Sequence, residues 1–342
     1  MTSLERVLTA LSHKEPDKVP LFLLLSHYGA KELGISIKEY FSKPEYVLEG
    51  QMKMQAKYKT DCLFAFFYAS IETEAFGGKT IFVEKGSPNS STPIIQNPKE
   101  IESLKVPKVK ETKQLIKVLD TIKMLKREAE DKVPIIGVVM SPFSLPVMQL
   151  GFDKYLDLIF HNKEMFNKLM HINEQFCIDW ANAQIEAGAT AICYFDPVSS
   201  PTIIPRKDYL ETGFQIAKRT IAKINGPTAT HLASGRSLAI MDDLARTGTA
   251  IAGVSSLEDI AELKSAAKGK ISLLGNMNGV EMCRWTKTEA EENVKNIIQK
   301  AGKGGGLLLG ENHGEIPYQV SEKTLLDIAN AVDKWGVYPL KN

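Results

Sequence analysis

The sequence predicts an α/β protein built as a (β/α)8 TIM barrel, with a small β-hairpin insertion near residues 76–110. Three observations predict it. Eight short apolar runs recur along the chain without polar alternation, so each needs cover on both faces, as in a parallel sheet. Amphipathic, charge-bearing stretches lie between most of them, and strands alternating with helices close into a barrel. Gly188, Gly226, Gly248 and Gly269 each stand just before a run, where a helix C-cap prefers glycine.

Taken in order, Thr2 and Glu5 form a capping box that opens a helix through about Leu11. The apolar runs occupy 21–25, 62–67, 134–139, 191–195, 228–231, 250–254, 271–274 and 306–309. Helical stretches cover 37–57, 112–129, 163–187, 207–224 and 287–302. Residues 76–110 are rich in Gly, Ser, Pro and Lys, and their β-like pieces at 80–83 and 92–95 suggest a hairpin on the barrel rim. A doubly wound nucleotide fold lacks its main signal: no GxGxxG follows the first run, and Gly302–Gly306 precedes a strand. A prior of about 150 residues per domain allows two domains. No linker or repeat divides the chain, so one domain over 1–342 is expected.

Composition narrows the function classes. Forty-two basic and 41 acidic residues leave a net charge of +1, which gives no support for a nucleic-acid partner. An apolar fraction of 44% argues against intrinsic disorder. Cys62, Cys177, Cys193 and Cys283 lie far apart with no CxxC pair, which suits reduced thiols in a cytoplasmic protein. No run approaches the roughly 20 apolar residues of a membrane span, so no membrane partner is expected.

Barrel enzymes place their chemistry at the C-terminal ends of the strands. Those ends carry Ser26, His27 and Tyr28; Phe67 and Tyr68, then Glu72 and Glu74; Met140 and Ser141; Asp196; His231; Ser255 and Ser256; Asn276 and Asn278; and Glu311, Asn312 and His313. Three of the six histidines fall there, which points to a site containing His231 and His313. Each candidate also has a structural reading. Asp196 before Pro197 suits a loop-initiating residue, His231 a cap, His313 a solvated turn, and Glu72 and Glu74 a helix N-terminus. The aromatics at 64–68 read mostly as core.

The strand-end residues resemble a known family. The opening Leu4-Glu5-Arg6-Val7-Leu8-Thr9-Ala10-Leu11, with Pro16-Asp17-Lys18-Val19-Pro20, resembles the start of the uroporphyrinogen decarboxylase superfamily. Glu72-Thr73-Glu74-Ala75-Phe76-Gly77, Ser141-Pro142-Phe143, Glu186-Ala187-Gly188-Ala189, Asp196-Pro197 and Leu274-Gly275-Asn276-Met277-Asn278 look more like its cobalamin-dependent methyltransferase branch. That branch includes methylcobamide:coenzyme M methyltransferases and O-demethylase methyltransferases. The resemblance implies a (β/α)8 barrel and a methyl transfer between a small molecule and the cobalt of a corrinoid (cobalamin) carried by a partner protein.

Two departures shape the expectation. The decarboxylases' arginine-bearing segment after the first strand is here Leu24-Leu25-Ser26-His27-Tyr28-Gly29-Ala30, without the cations a polycarboxylate porphyrinogen requires. The thiol-methylating relatives bind zinc through His-x-Cys and a later cysteine. His231 matches the first ligand, Ala233 replaces the second and His313 stands at the last. Their carboxylate position carries Ser255 or Ser256. The resemblance thus implies a harder zinc shell of His231, His313 and a carboxylate such as Glu311 or Asp196, or the loss of metal in favour of hydrogen bonding to substrate. The preferred substrate is an O-methyl donor such as a methoxylated aromatic. Asp196, His231 and His313 would be catalytic, and His27, Tyr68, Glu72, Glu74, Phe143, Tyr194 and Asn276 would bind substrate. A decarboxylase or related lyase, and a non-catalytic barrel, remain the alternatives.

Overall fold

A computed structural model describes residues 1–341. Its strands are β1 (Leu21–Phe22), β2 (Leu63–Phe64), β3 (Thr80–Ile81), β4 (Asn89–Ser90), β5 (Ile135–Met140), β6 (Ala191–Phe195), β7 (Thr228–His231), β8 (Ile251–Gly253), β9 (Ser272–Met277) and β10 (Leu307–Glu311). Eight of them form one sheet in the order β1-β10-β9-β8-β7-β6-β5-β2, every adjacent pair parallel. This is the expected (β/α)8 barrel.

Its eighth junction, β1 to β2, is no regular ladder. Asp61 N–H donates to the Leu21 carbonyl at 2.6 Å, and the Asp61 carboxylate accepts the Leu21 N–H at 2.9 Å. Thr60 Oγ1 donates to the Leu21 carbonyl and accepts the Leu23 N–H, both at 3.1 Å. Side chains thus satisfy backbone groups that a longer strand pair would satisfy itself. Both runs were expected to be longer strands; their ladders last only two residues each.

Asp61 is itself held from below. Arg6 Nη1 and Ser3 Oγ donate to its Oδ1 at 2.6 and 2.7 Å, and Arg6 also forks onto Asp17 at 2.6 and 2.7 Å. Arg6 lies on the Ser3–Leu11 helix, whose predicted capping box is present: Thr2 Oγ1 accepts the Glu5 N–H and Glu5 accepts the Thr2 N–H. Val7 of this helix joins the barrel-interior cluster of Phe22, Leu24, Cys62, Phe64, Val138, Cys193, Ala229, Ile251, Leu274 and Leu308. The helix therefore plugs the N-terminal end. Larger clusters fill the layer between sheet and outer helices.

The helical forecasts stand with two breaks. Residues 37–57 form two helices, Ile37–Tyr40 and Pro44–Tyr58, because Pro44 cannot continue a helix but is well suited to start one. Residues 207–224 split into Arg206–Glu211 and Gly213–Ile221. The hairpin also differs: Thr80 pairs Ser90 and Ile81 pairs Asn89, so the second arm precedes the predicted 92–95. Pro93 lacks a ladder donor, and the Ile95 N–H instead bonds the Gln149 carbonyl while its side chain is buried. Gly188 ends its helix with φ at 118°, as forecast; Gly226 has another cause, since a Cβ there would meet Ile185 Cδ1 at 2.7 Å.

Removing one partner of the buried Arg6–Asp61 pair should cost about 3–5 kcal/mol, because the other is left buried and uncompensated. Urea titration of Asp61→Ala and Arg6→Met measures it, with Lys123→Ala on the surface as a control expected near zero. Asp17 adds an acid limb. Burial would raise its pKa, but the Arg6 hydrogen bonds and charge prevail and bring it to about 2. A carboxylate depressed in the folded state stabilises above its unfolded pKa, and this is lost as pH falls toward 2. Asp17→Asn should shrink that acid dependence.

Candidate active site

Strand parity decides which strand-end residues face the barrel mouth. Cys193 and Ala229 lie in the interior cluster, so Phe195 and His231, two residues further on, face the same way. The two are register partners, and their rings stack with centroids 5.7 Å apart. His231 is also the register partner of Gly253. A Cβ at Gly253 would come within 2.5 Å of His231 Cδ2, so glycine there makes room for the imidazole.

His231 is 1% exposed. Its Nδ1 accepts the Ala233 N–H at 3.0 Å, and its Nε2 has no partner. Burial lowers its pKa, with the Glu311 charge opposing and the His313 charge adding to the effect. Ala233, at the position of a zinc-binding cysteine in the resemblance, is in the left-handed region with φ at 51°.

The turn after β10 closes over this ring. Glu311 is fully buried and accepts the backbone N–H groups of His313 and of Gly314, the latter at 2.7 Å. His313 keeps Nδ1 unpartnered, 3.6 Å from Glu311 Oε2, and its side chain is 28% exposed. Gly314 lies against His231, where a Cβ would stand 3.5 Å from Nδ1 and 2.7 Å from the Phe195 ring. The next residue, Glu315, reaches the neighbouring loop after β1 and accepts from Nδ1 of His27, which is 1% exposed with Nε2 unpartnered. Ser87 of the hairpin insertion donates to the other Glu315 oxygen at 2.7 Å. One turn therefore gathers His231, His313 and His27.

Other expected site residues lie elsewhere. Asp196 follows Phe195 and faces outward with Tyr194; Ser141 and Ser144 donate to its Oδ1 at 2.5 and 2.7 Å, and Ser199 to its Oδ2 at 2.6 Å. Burial raises its pKa against these three hydrogen bonds. Its charge is felt by the phenols of Tyr155 and Tyr209 in the helix layer. This is a joint between the loops after β5 and β6, and it displaces Asp196 from the expected proton-handling role. Tyr194 packs in the same layer, and Phe143 is fully buried between Tyr155 and Phe166. Neither lines the mouth, because each falls on the wrong parity or beyond the strand's turn. Glu72 is also interior to that layer: Oε1 accepts the Met140 N–H at 2.9 Å, and Oε2 has no partner. Tyr68 sits edge-on to Phe41 and Phe82, with Glu74 beside it at the base of the hairpin. Asn276 donates to the Ser255 and Glu258 carbonyls at 2.9 and 3.2 Å beside a polar cleft of about 490 Å³.

A zinc ion is not matched by these residues. Burial pushes the thiols of Cys62 and Cys193 up to about 12, so neither is a ready thiolate. Among the described residues no group of three or more His, Cys, Asp or Glu side chains is spaced to hold a metal. Glu311 and His313 are neighbours in the turn after β10 and His231 ends β7, and the three form no ligand shell. Sequence reasoning missed Glu315, Ser87, Ser144 and Ser199, and named Ser141 without its bond to Asp196. Only Glu315 left a signal, an acid in the same polar turn as His313.

Glu72 supplies a pH test. Burial raises its pKa to about 8 against the Met140 hydrogen bond and the nearby Trp180. A carboxyl raised in the folded state contributes fully below its unfolded value, and the contribution is lost as pH rises from there through about 8. Glu72→Gln keeps the acceptor for Met140 and should lose less stability than wild type between pH 5 and pH 8 in urea melts.

The uroporphyrinogen decarboxylase (URO-D) family description matches residues 2–335. A uroporphyrinogen decarboxylase of Idiomarina loihiensis is 24% identical, over 97% of this chain and 96% of its own. The methylcobamide:CoM methyltransferase MtaA of Methanosarcina barkeri is 26% identical, over 80% and 81%. Among solved structures, a methyltransferase from Methanosarcina mazei superposes with a TM-score of 0.88 over 98% of this chain and 99% of that one, at 19% identity, a likeness of fold. No helix among the described residues is long and apolar enough to cross a membrane. The chain belongs to the uroporphyrinogen decarboxylase family.

Proposed function

We propose that this chain is a methyltransferase moving a methyl group between an oxygen of a small molecule and the cobalt of a corrinoid on a separate protein. A methoxylated aromatic is the preferred donor. The observation that carries this reading is the donor set at the mouth. His27, His231 and His313 each offer a nitrogen without a partner, and burial disfavours the thiolates of Cys62 and Cys193 in the barrel interior. An imidazole N–H hydrogen-bonds an oxygen better than a sulfur, which is a weak acceptor. The methylcobamide:CoM methyltransferase relative supports methyl transfer as the reaction class.

The corrinoid supplies a cobalt(I) nucleophile. In demethylation the carbon–oxygen bond breaks, its electron pair stays on oxygen, and the methyl carbon bonds to cobalt. The chain's part is to hold the leaving oxygen. Buried His231 stays neutral and stabilises charge developing there by hydrogen bonding, stronger in a water-excluded site than in solvent. Phe195 offers apolar surface beside it, and the half-buried Phe66 packs on the barrel interior. Glu315, bonded to His27 and to Ser87, holds the turn, the loop after β1 and the hairpin together around the substrate.

Decarboxylation is the second reading, favoured by the near-complete coverage of the decarboxylase relative. Against it, the loop after β1 presents Ser26, His27 and Tyr28 where a porphyrinogen's carboxylates need cations.

The test mixes the chain with a reduced corrinoid protein and a panel of methoxyarenes, methanol and methylated thiols, and follows the cobalt spectrum. Conversion of cobalt(I) to methylcobalt(III) with methoxyarenes is expected. No conversion with any donor, and no demethylation of methylcobalt(III) by any thiol, would overturn the reading. Carbon dioxide release from a porphyrinogen would establish the second. His231→Ala should lower kcat by about 10²–10³-fold, the usual cost of one oxyanion donor, with circular dichroism confirming that the variant is folded.

A further inference from the structure

The two buried histidines of the mouth are bonded in opposite senses. At His231, Nδ1 accepts a backbone N–H from Ala233, so it must carry a lone pair. In the neutral ring the proton is then on Nε2, the atom left without a partner. At His27, Nδ1 donates to the Glu315 carboxylate, with Ser26 Oγ 3.3 Å away, so the proton is on Nδ1. In the neutral ring its unpartnered Nε2 then carries the lone pair.

We infer that His231 presents an N–H and His27 a lone pair to the ligand, so that the site recognises a small molecule carrying both an acceptor oxygen and a hydroxyl donor, without a metal at His231. A metal-ligating imidazole donates its other N–H outward to a carboxylate or carbonyl. His231 has the reverse arrangement, since ligation through Nε2 would forfeit the Ala233 hydrogen bond or require an imidazolate. His27 has the polarity of a ligand, but no further ligating side chains converge on it among the described residues. Glu315 is the positioning residue: it fixes the His27 tautomer and, through Gly314 beside it, the turn that packs on His231. The inference deepens the methyltransferase reading and rests on it only for the identity of the oxygen that His231 meets.

Long-range proton–nitrogen correlation NMR on the full chain, labelled with ¹⁵N-histidine, reads both tautomers directly. The six histidines make assignment tractable through His231→Asn and His27→Asn. His231 is expected protonated at Nε2 and His27 at Nδ1, and added zinc should leave the His231 signals in place. Glu315→Ala should change the His27 pattern and leave His231 in its tautomer, which also assigns the spectrum if a histidine variant does not fold. A His231 proton on Nδ1, or one equivalent of zinc bound by wild type and lost in His231→Asn, would overturn the inference. So would a His27 pattern unaltered in Glu315→Ala. Expected tautomers with no methyl transfer in the cobalt assay would sink the methyltransferase reading alone. Reversed tautomers with methyl transfer intact would sink this inference alone.

Discussion

The Asp61 carboxylate closes the barrel, and the position of the site depends on that closure. A parallel barrel needs its first and second strands joined, yet β1 and β2 are each two residues long. Asp61 and Thr60 bond the backbone of residues 21–23, and Arg6 compensates the buried charge from the floor. This ion pair works as registry, since it fixes which residues of the first two strands lie level. The chain beyond β1 then accepts the turn after β10 through the Ile316 N–H on the Leu24 carbonyl. Glu315, one residue earlier, is thereby set against His27.

The mouth is consequently built from one short turn rather than from eight independent strand ends. Residues 311–315 supply a buried acid, one glycine whose missing Cβ admits the rings of Phe195 and His231, and the partner of His27. The chemistry this allows is hydrogen bonding of both polarities from two buried imidazoles. Asp196, a strand-end carboxylate that suggested catalysis, is consumed by three serine hydroxyls. It stabilises the loops flanking the site without facing it.

Fold and site were legible in the sequence to different degrees, for physical reasons. Uniformly apolar runs report burial on both faces, so the strands and their parallel arrangement could be read directly. Strand-end position could be read too, which located His27, His231 and His313. Side-chain direction could not: it turns on single-residue parity, and a strand boundary uncertain by one residue reverses it. That uncertainty placed Tyr194 and Asp196 at the mouth when they belong to the helix layer, as does Phe143 in the turn beyond β5. Long-range partners such as Asp61 with Arg6, or Glu315 with Ser87, join residues 55 and 228 positions apart, and nothing local announces them. The loss of thiolates from the resembled zinc site was readable as Ala233 and His313; its counterpart, an imidazole bonded in the wrong sense for metal, needed the backbone of Ala233.

The most direct test of the account follows the methyl carbon itself. A methoxyarene labelled with ¹³C in its methyl group is incubated with the chain and a reduced corrinoid protein, and the label is traced by NMR. The account predicts that ¹³C appears on cobalt in step with the free phenol, and that His231→Asn slows both together. Label that stays on the arene, or reaches cobalt equally fast without this chain, would contradict it.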